Sequence, residues 1–306
     1  MTQETQSAAP AEFRASGTDL SERRRSGVSR GPIIDIVPTP EMTRIFWSET
    51  GAPRIGASTS IGRIAADARI AEAYPGIAAA AGSLATPQIR HLATLGGNLA
   101  QRSRCWYYRN PHVACLKKGG GDCPARQGNH LYGVAFDLGP CVAPHPSTMA
   151  TALLAYDAEV TTSQRNALSV KQLLGDGSNG AVDNALSAGE MITAIDLPPP
   201  LANERAGYRR AIGRTHAEWP LVEVVARVVA KDGAFHLVSL AAGGIAPVPL
   251  RLSAAESAAQ GAAVTPSSIA ATARAAIDGA KPLPMTRYKL DLLEGLVLDL
   301  LEQCAI

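Results

Sequence analysis

The sequence lacks the features that mark disordered, membrane-spanning or strongly charged proteins. Aromatic residues make up only 5% and charged residues 18% of its 306 residues, whereas hydrophobic residues make up 46%, enough to form buried cores. No apolar run approaches the roughly 18 consecutive residues that a membrane-spanning helix needs. The formal net charge of +2 gives no reason to expect affinity for nucleic acid. We therefore expect a globular protein with no membrane span and no nucleic-acid partner.

The first residues lack the basic start and the apolar stretch of a secretory signal. Residues 1–12 are small and polar, and we expect them to form a flexible tail. Arg23, Arg24 and Arg25 form a basic run, but polar residues follow it and we interpret it as part of a solvated loop. The predicted location is the cytoplasm.

Hydrophobic patterning in the first part of the chain predicts strands followed by helices. Apolar runs at residues 33–37 and 54–58 predict buried strands. Residues 61–81 have apolar positions at helical spacing, and Pro75 divides them into two short helices. After an irregular segment, residues 147–162 predict a helix and then a strand. This order is typical of an α+β domain.

Three consecutive prolines at residues 198–200 mark the best candidate linker, because they interrupt strand pairing and favour an extended connection. We place a first domain at residues 13–202 and a smaller α+β domain at residues 203–306. In the second domain, Asp-Gly at 232–233 between two apolar runs predicts a β-hairpin, and the sequence from Ser253 onward predicts helices.

Residues 102–146 interrupt the regular patterning and contain four of the five cysteines. A segment of this length inside a domain is usually functional or disordered. The gaps of nine, seven and seventeen residues between these cysteines include no Cys-x-x-Cys pair, which disfavours zinc. Four thiolates are the full ligand set of a [4Fe-4S] cluster, although zinc, two disulfides or free thiols stay open on spacing alone. The predicted cluster ligands are Cys105, Cys115, Cys123 and Cys141.

The same segment carries cations that would offset the negative charge of a thiolate-bound cluster. They are Arg102, Arg104, Arg109, Lys117, Lys118 and Arg126. Its three histidines, His112, His130 and His145, are interpreted as ordinary polar loop residues. The fifth cysteine, Cys304, lies in an apolar C-terminal stretch and is predicted to pack as a small hydrophobic residue.

Two glycine turns outside this segment offer backbone N–H groups to a phosphate, although neither is a Rossmann or P-loop motif. A turn that only caps a helix would have the same sequence, so this alternative stays open. The candidate residues are Ala15, Ser16, Gly17, Thr18, Asp19 and Leu20 in the first turn, and Thr94, Leu95, Gly96, Gly97 and Asn98 in the second.

Further short motifs accompany these turns in an order that is specific when taken together. They are Pro87-Gln88-Ile89-Arg90, Tyr208-Arg209-Arg210, Gly243-Gly244-Ile245-Ala246-Pro247, and the stretch from Pro282-Leu283 to Tyr288-Lys289. With the two turns and the cysteines, they make the chain resemble the FAD-binding medium subunit of the molybdenum hydroxylases. That family contains xanthine dehydrogenases, carbon monoxide dehydrogenases and aldehyde oxidoreductases. The resemblance runs from about Phe13 to the C-terminus.

The chain resembles most the subgroup of bacterial aldehyde oxidoreductases in which a cysteine loop after the second turn holds a [4Fe-4S] cluster near FAD. The position of Cys141 favours this type over the related aromatic acyl-CoA reductases. The resemblance implies a two-lobed FAD-binding domain of the molybdenum hydroxylase flavoprotein type, with the FAD pyrophosphate on the two glycine turns. It also implies cofactor contacts from Ser147, Thr148 and Arg210, with a surface ion pair as the alternative for Arg210.

Three departures from the family pattern bear on FAD. The strand and helix that usually precede the first turn are replaced here by the polar tail. Ser16 stands where the family commonly has glycine, which puts a Cβ where the backbone approaches phosphate. Thr148 stands where family members often have an aspartate that contacts the flavin or ribityl part.

The resemblance implies an electron-transfer flavoprotein subunit of a heterotrimeric molybdenum-containing oxidoreductase of the aldehyde oxidoreductase type. This chain would carry FAD and the [4Fe-4S] cluster and pass electrons to an external acceptor. A large subunit would hold the molybdenum cofactor and oxidise the substrate, and a small subunit would hold two [2Fe-2S] clusters, so no residue here is predicted to be catalytic. An assembly subunit without FAD and a zinc-stabilised flavoprotein are the alternatives. Export with a signal-bearing partner would place the complex in the periplasm.

Overall fold

The computed structural model of the protein describes residues 11–305, and in this range it has 12 α-helices and 11 β-strands in three sheets. This architecture confirms the predicted α+β class. The predicted tail lies outside the described residues except at its end, where Glu12 belongs to the first strand and the prediction is wrong. Within residues 11–305, no helix is both long and apolar enough to cross a membrane.

The N-terminal lobe is one strand–helix–strand unit. It consists of β1 (Glu12–Arg14), α1 (Leu20–Arg25) and β2 (Ile33–Asp35), and the two strands are parallel. The predicted strand at residues 33–37 is present but not buried, because Ile34 is 47% and Val37 is 86% exposed. A two-stranded sheet with one short helix has no second layer to cover its outer face.

The central part of the first domain is an antiparallel sheet of five strands. They are β3 (Ile45–Trp47), β4 (Pro53–Gly56), β5 (Glu159–Thr162), β6 (Leu168–Ser169) and β7 (Ile192–Asp196). They lie in the order β3-β4-β7-β5-β6. Ile55, Val160 and Ile195 are fully buried, which explains why these apolar runs form strands. The strands predicted in residues 54–58 and at the end of 147–162 are confirmed.

Short helices follow β4. They are α2 (Ile61–Ala66), α3 (Ala68–Ala73), α4 (Pro75–Ser83), α5 (Pro87–Leu92) and α6 (Leu95–Leu99). Residues 61–81 thus form three helices, where two were predicted. The additional break falls at Asp67, whose side chain accepts a hydrogen bond from the Ile70 backbone N–H at the start of α3. Pro75 begins α4, as expected for proline in a first helical turn.

Residues 102–146 form the cysteine-rich loop. Its only α-helix is the short α7 (Trp106–Arg109), and two 3-10 turns and irregular backbone make up the rest. Ala125, Val134 and Val142 form its own small hydrophobic cluster. The loop leads into α8 (Thr148–Ala155), and α9 (Val170–Leu174) follows β6. The predicted irregular segment and the helix after it are confirmed.

The second domain is a four-stranded antiparallel sheet covered by helices. The strands are β8 (Arg205–Ala211), β9 (Val222–Lys231), β10 (Ala234–Gly243) and β11 (Leu250–Arg251), and the helices are α10 (Ser253–Ala259), α11 (Pro266–Ala275) and α12 (Tyr288–Ala305). Asp232 and Gly233 both have positive φ, as a type I′ turn requires, which confirms the predicted hairpin. Cys304 lies on α12 and is buried in the core of the second domain, as predicted.

One of the hydrophobic core clusters includes residues of both domains. Tyr208 of β8 and Val225 of β9 belong to the same buried cluster as Tyr74 and Tyr156 of the first domain. The Tyr156 hydroxyl accepts a hydrogen bond from the Gly76 backbone N–H, so this polar atom is satisfied inside the cluster. Ala135 and Phe136 of the cysteine-rich loop belong to a second buried cluster, which otherwise consists of residues of the second domain, so the loop packs against that domain.

Candidate functional site

The four cysteines of the loop converge on one small pocket. Cys105, Cys115, Cys123 and Cys141 all line it. All are free thiols, so the disulfides considered from the sequence do not form among the described residues. The other residues of the wall are Tyr107, Tyr108, Leu116, Lys117, Pro124 and Ala143.

Hydrogen-bond donors surround two of these sulfur atoms. Cys123 accepts hydrogen bonds from the Cys141 thiol and from three backbone N–H groups, which lower the pKa of Cys123 to about 6 although burial opposes this. The bond to Cys123, together with burial, raises the pKa of Cys141. Burial raises the pKa of Cys105, against two backbone N–H groups that point to it. The backbone donors belong to Val142, Ala125 and Arg126 for Cys123, and to Tyr108 and Tyr107 for Cys105.

The donor set fits an iron–sulfur cluster in its chemistry. Four thiols with N–H groups directed at sulfur are what a [4Fe-4S] centre uses. The pocket between them holds only about 10 Å³ of open space, so the cysteine side chains would have to turn outward to enclose a cluster. No three His, Cys, Asp or Glu side chains in residues 11–305, the four cysteines included, are grouped in a way that could hold a metal ion as they stand, which supports neither zinc nor a cluster. Cluster binding stays a prediction.

Most cations of the loop are bound to carboxylates. Arg102 and Lys117 pair with Asp183, Arg104 and Arg109 with Asp19 and Glu22, and Arg126 with Asp137. Lys118 donates to two backbone carbonyl groups instead. Their charge is therefore largely balanced within the protein. Lys117 also lines the cysteine pocket, and its charge opposes the rise in the pKa of Cys141.

A larger cavity of about 500 Å³ adjoins the cysteine pocket, and Cys105 and Ala143 line both. It lies between the cysteine-rich loop and the second domain. Three partly exposed aromatic side chains, Trp106, Tyr132 and Trp219, form part of its wall, and the Arg104 guanidinium stacks on Trp219 at 4.2 Å from the ring centroid. Its volume is that of a small-molecule or cofactor site, about 300–1,000 Å³.

Three buried polar side chains, His145, Glu223 and Lys289, also line this cavity. His145 Nδ1 accepts a hydrogen bond from the Ser147 backbone N–H, which places the proton of a neutral ring on Nε2. Burial lowers the pKa of His145 to about 4, so the ring is neutral at pH 7. Nε2 has no hydrogen-bond partner among the described residues. The interpretation of the loop histidines as ordinary polar residues is therefore wrong for His145.

Lys289 gives the stability of the chain a distinct pH dependence. Its ammonium donates to the carbonyl oxygens of Gly244 at 2.6 Å and Tyr132 at 3.3 Å, and burial lowers the pKa of Lys289 to about 7. An unfolded lysine has a pKa near 10.4, so between these values the unfolded chain binds more protons and stability rises with pH. We expect the free energy of unfolding to gain about 2 kcal/mol from pH 7 to pH 9, and Lys289→Met to remove this gain. Urea denaturation of the purified chain measures both.

Lys281→Met is the matched control, since Lys281 is exposed and lies on the segment that leads into α12. It should keep the full pH dependence. If Lys289→Met retained the gain between pH 7 and pH 9, the gain would come from another group and the lowered pKa of Lys289 would be refuted.

The first glycine turn lies between β1 and α1. Gly17 has a φ of +77°, a left-handed conformation that favours glycine, and Ser16 beside it is exposed. The Asp19 carboxylate pairs with Arg23, Arg104 and Arg109. Burial works to raise the pKa of Asp19, but the charges of Arg104 and Arg109 outweigh it and hold the pKa below its ordinary value. Asp19 thus fastens this turn to the cysteine-rich loop.

The second glycine turn begins α6, and its N–H groups are already bound. Those of Leu95, Gly96, Gly97 and Asn98 donate to Thr59, Ala57 and Thr94. A Cβ on Gly96 would lie 2.9 Å from the Ala57 Cβ, so this glycine serves close packing. The expectation of unbound N–H groups here is wrong, because Thr94 caps the helix as in the alternative considered from the sequence. Gly97 is exposed, so the backbone of the turn is accessible at this residue.

The two turns meet at Gln101 and Arg104. Gln101 donates to the Asn98 carbonyl oxygen at 3.0 Å and accepts from Arg104 at 3.0 Å. Arg104 also pairs with Asp19 of the first turn and lines the cavity. The two predicted phosphate-binding turns are therefore linked to one edge of the cavity, although neither turn forms its wall.

The other predicted cofactor contacts lie next to the cavity. Ser147 caps α8 and donates to Asn98 Oδ1 at 2.7 Å, while Thr148 donates to Glu223 at 2.8 Å. Arg210 donates to the carbonyl oxygens of His216 and Glu218. Arg210 therefore holds the 212–219 loop in place, and within residues 11–305 it does not form the surface ion pair considered as its alternative.

Sequence reasoning missed Glu223 and Asp183, which organise the cavity wall and the cysteine-rich loop respectively. Glu223 is the only acidic residue in the apolar run Val222–Lys231, and a carboxylate inside a buried strand is a signal that could have found it. Asp183 lies in an irregular stretch and gives no such signal.

A ligand-sized cavity beside a pocket of four cysteines is an arrangement suited to binding a cofactor. Residues 2–200 match the family described as "FAD binding domain in molybdopterin dehydrogenase", and residues 207–304 match the "CO dehydrogenase flavoprotein C-terminal domain". The chain belongs to the FAD-binding subunits of the molybdenum hydroxylase family, which confirms the resemblance drawn from its motifs.

Curated relatives carry the same designation. The chain is 32% identical over 253 residues to the aldehyde oxidoreductase FAD-binding subunit PaoB of Escherichia coli K12, covering 80% of this chain and 78% of the relative. It is 24% identical over 274 residues to the xanthine dehydrogenase FAD-binding subunit of Escherichia coli O157:H7, covering 89% and 80%.

Solved structures share the fold. A chain of carbon monoxide dehydrogenase from Hydrogenophaga pseudoflava matches with a TM-score of 0.75 and 20% identity, covering 96% of this chain and 89% of that one. A chain of quinoline 2-oxidoreductase from Pseudomonas putida 86 matches with a TM-score of 0.74 and 18% identity over the same shares. At these identities the likeness concerns the fold alone.

Proposed function

We propose that this chain is the electron-transfer subunit of a heterotrimeric molybdenum-containing aldehyde oxidoreductase and carries FAD and a [4Fe-4S] cluster. The observation that carries the proposal is the convergence of four free thiols on a pocket that shares Cys105 and Ala143 with a cavity of about 500 Å³. The shared wall would place two redox groups side by side. Bound there, the flavin would exchange electrons in pairs and the cluster singly.

The chain's own residues have separate tasks in this proposal. Cys105, Cys115, Cys123 and Cys141 would hold the cluster, and the backbone N–H groups around Cys123 and Cys105 would stabilise thiolate sulfur. The 500 Å³ cavity would take the flavin ring, with His145 and the aromatic side chains of the wall around it. The pyrophosphate would lie on Ser16–Asp19, with exposed Gly97 allowing close approach.

The complex would divide the chemistry among three subunits. The large subunit would oxidise the substrate at its molybdenum cofactor, and the small subunit would pass electrons through two [2Fe-2S] clusters to this chain and on to an external acceptor. Aldehydes are proposed as substrates because the relative at 32% identity is an aldehyde oxidoreductase subunit. We propose the cytoplasm as the location, with the periplasm reached by export together with a partner.

Cofactor analysis of the complex purified with its partners tests the proposal. We expect about one FAD and about eight irons per heterotrimer, four of them on this chain, with a distinct [4Fe-4S] signal in EPR of the reduced complex. A complex with no flavin and no iron on this chain would refute the proposal. It would favour the assembly subunit, which the bound N–H groups of the second glycine turn support as the second candidate. One zinc in place of the four irons would favour the zinc-stabilised flavoprotein.

A further inference from the structure

Glu223 on β9 is a buried acidic residue that lines the 500 Å³ cavity. The residue is 1% exposed, and its carboxylate accepts three hydrogen bonds from hydroxyl groups. Thr148 donates at 2.8 Å and Tyr208 at 2.7 Å to Oε2, and Thr151 donates at 3.1 Å to Oε1. The donors come from α8 and β8, so the carboxylate is held from both domains.

The fold reserves space for this carboxylate. A Cβ on Gly243 of β10, the strand beside β9, would overlap Glu223 Oε1 and Thr151 Oγ1. Gly243 does not have a positive φ, so backbone conformation does not demand glycine at this position. Glycine is required at position 243 because the Glu223 side chain approaches the backbone closely there.

The three hydroxyl groups do not use the full capacity of the carboxylate. An ionised carboxylate offers about four acceptor positions, and the three donors leave one. Burial raises the pKa of Glu223, whereas the hydrogen bonds from the hydroxyl groups and the charge of Arg210 act to lower this pKa. Within residues 11–305, no cation forms a salt bridge with the Glu223 carboxylate. A buried carboxylate held only by neutral groups is costly compared with an apolar residue that would join α8 to the sheet. A further donor at the remaining acceptor position would offset part of this cost.

We propose that Glu223 positions the flavin by accepting a hydrogen bond from an O–H or N–H donor of the bound cofactor. The inference rests on the flavin proposal above. A flavin offers two such donors, the hydroxyl groups of the ribityl chain and the imide N–H of the ring. Thr148 donates a hydrogen bond to this carboxylate and would act on the flavin through Glu223.

Binding of four flavins to the full chain tests this inference. The probes are FAD, riboflavin, lumiflavin, which lacks the ribityl chain, and 3-methyllumiflavin, which also lacks the imide N–H; fluorescence titration gives each Kd. Glu223→Gln should weaken FAD and riboflavin about tenfold, the effect of losing one charged hydrogen bond. If the ribityl chain is the donor, both lumiflavins should bind the variant and the unmodified chain equally. If the imide is the donor, lumiflavin should weaken as well and 3-methyllumiflavin should not.

Glu190→Gln is the matched control. Glu190 is also a buried carboxylate that accepts from a threonine hydroxyl, Thr162, but it precedes β7, pairs with Arg165 and does not line the cavity. It should leave all four Kd values unchanged. Tyr208→Phe removes one donor behind the carboxylate and should give the same selective pattern, about two- to threefold, if Glu223→Gln does not fold.

The outcomes separate the two proposals. If the unmodified chain bound none of the flavins, the flavin proposal would fail and the role of Glu223 with it. If the unmodified chain bound FAD and Glu223→Gln bound it equally well, only the role of Glu223 would be refuted. An equal loss for all four flavins, 3-methyllumiflavin included, would mean a general distortion of the cavity and would overturn the inference too.

Discussion

Replacing Cys123 by serine is expected to remove about four irons and about four acid-labile sulfides from the complex while the FAD stays in place. Among Cys105, Cys123 and Cys141, Cys123 has the most hydrogen-bond donors around its sulfur, which marks that sulfur as the best stabilised thiolate of the three. A serine hydroxyl is a poor ligand for iron, so one iron of the cluster would lose its protein ligand. Cys123 does not line the 500 Å³ cavity, so the flavin should be unaffected. Iron, sulfide and flavin quantitation, with EPR of the reduced complex, measures the change.

Cys304→Ser provides the control for Cys123→Ser. Cys304 is buried in the core of the second domain, away from the cysteine pocket, and the variant should keep all the iron. Full iron content in Cys123→Ser would exclude Cys123 as a ligand. Loss of FAD together with the iron would mean that Cys123 supports the cavity as well as the pocket, although it lines only the pocket.

The elements that sequence predicted well are those in which local pattern and burial agree. The hairpin at Asp232 and Gly233 forms because both residues readily adopt the positive φ values that its turn requires. Strand β4 forms because its apolar run is buried in the sheet. The strand at residues 33–37 has the same apolar pattern but remains exposed, since burial depends on whether other layers cover it. Local pattern carries no information about such a layer.

The cysteine pocket was predictable from residue type and the cavity was not. Four thiols in one irregular segment indicated a shared site, and their spacing left the ligand open. Whether the N–H groups of the second glycine turn are free depends on Thr59 and Ala57. The carbonyl oxygens of these residues, in a distant part of the chain, accept hydrogen bonds from N–H groups of the turn. The role of Glu223 depends on hydroxyl groups in α8 and β8. Contacts between separate elements of this kind are set by tertiary packing, and one sequence does not display them.

Asp183 is the residue that ties the cysteine-rich loop to the body of the first domain. Its carboxylate binds Lys117 at 2.8 Å and Arg102 at 2.5 Å, and it accepts a hydrogen bond from the Ser103 backbone N–H at 3.4 Å. It therefore holds the start of the loop and the turn that follows Cys115. Burial opposes ionisation, but Lys117 and Arg102 outweigh it and lower the pKa of Asp183 to about 2, so the carboxylate is charged at pH 7.

Asp183→Asn should lower the free energy of unfolding by about 3 kcal/mol, because it leaves the buried Lys117 ammonium and the partly buried Arg102 guanidinium without their counter-ion. Urea denaturation of the purified chain measures the loss, and faster proteolysis within residues 102–146 should accompany it. Asp137→Asn is the control: its pair with Arg126 lies in the same loop but is more exposed, and its loss should cost about 1 kcal/mol or less. Equal losses in the two variants would contradict the anchoring role of Asp183, because burial is the property that distinguishes the two pairs.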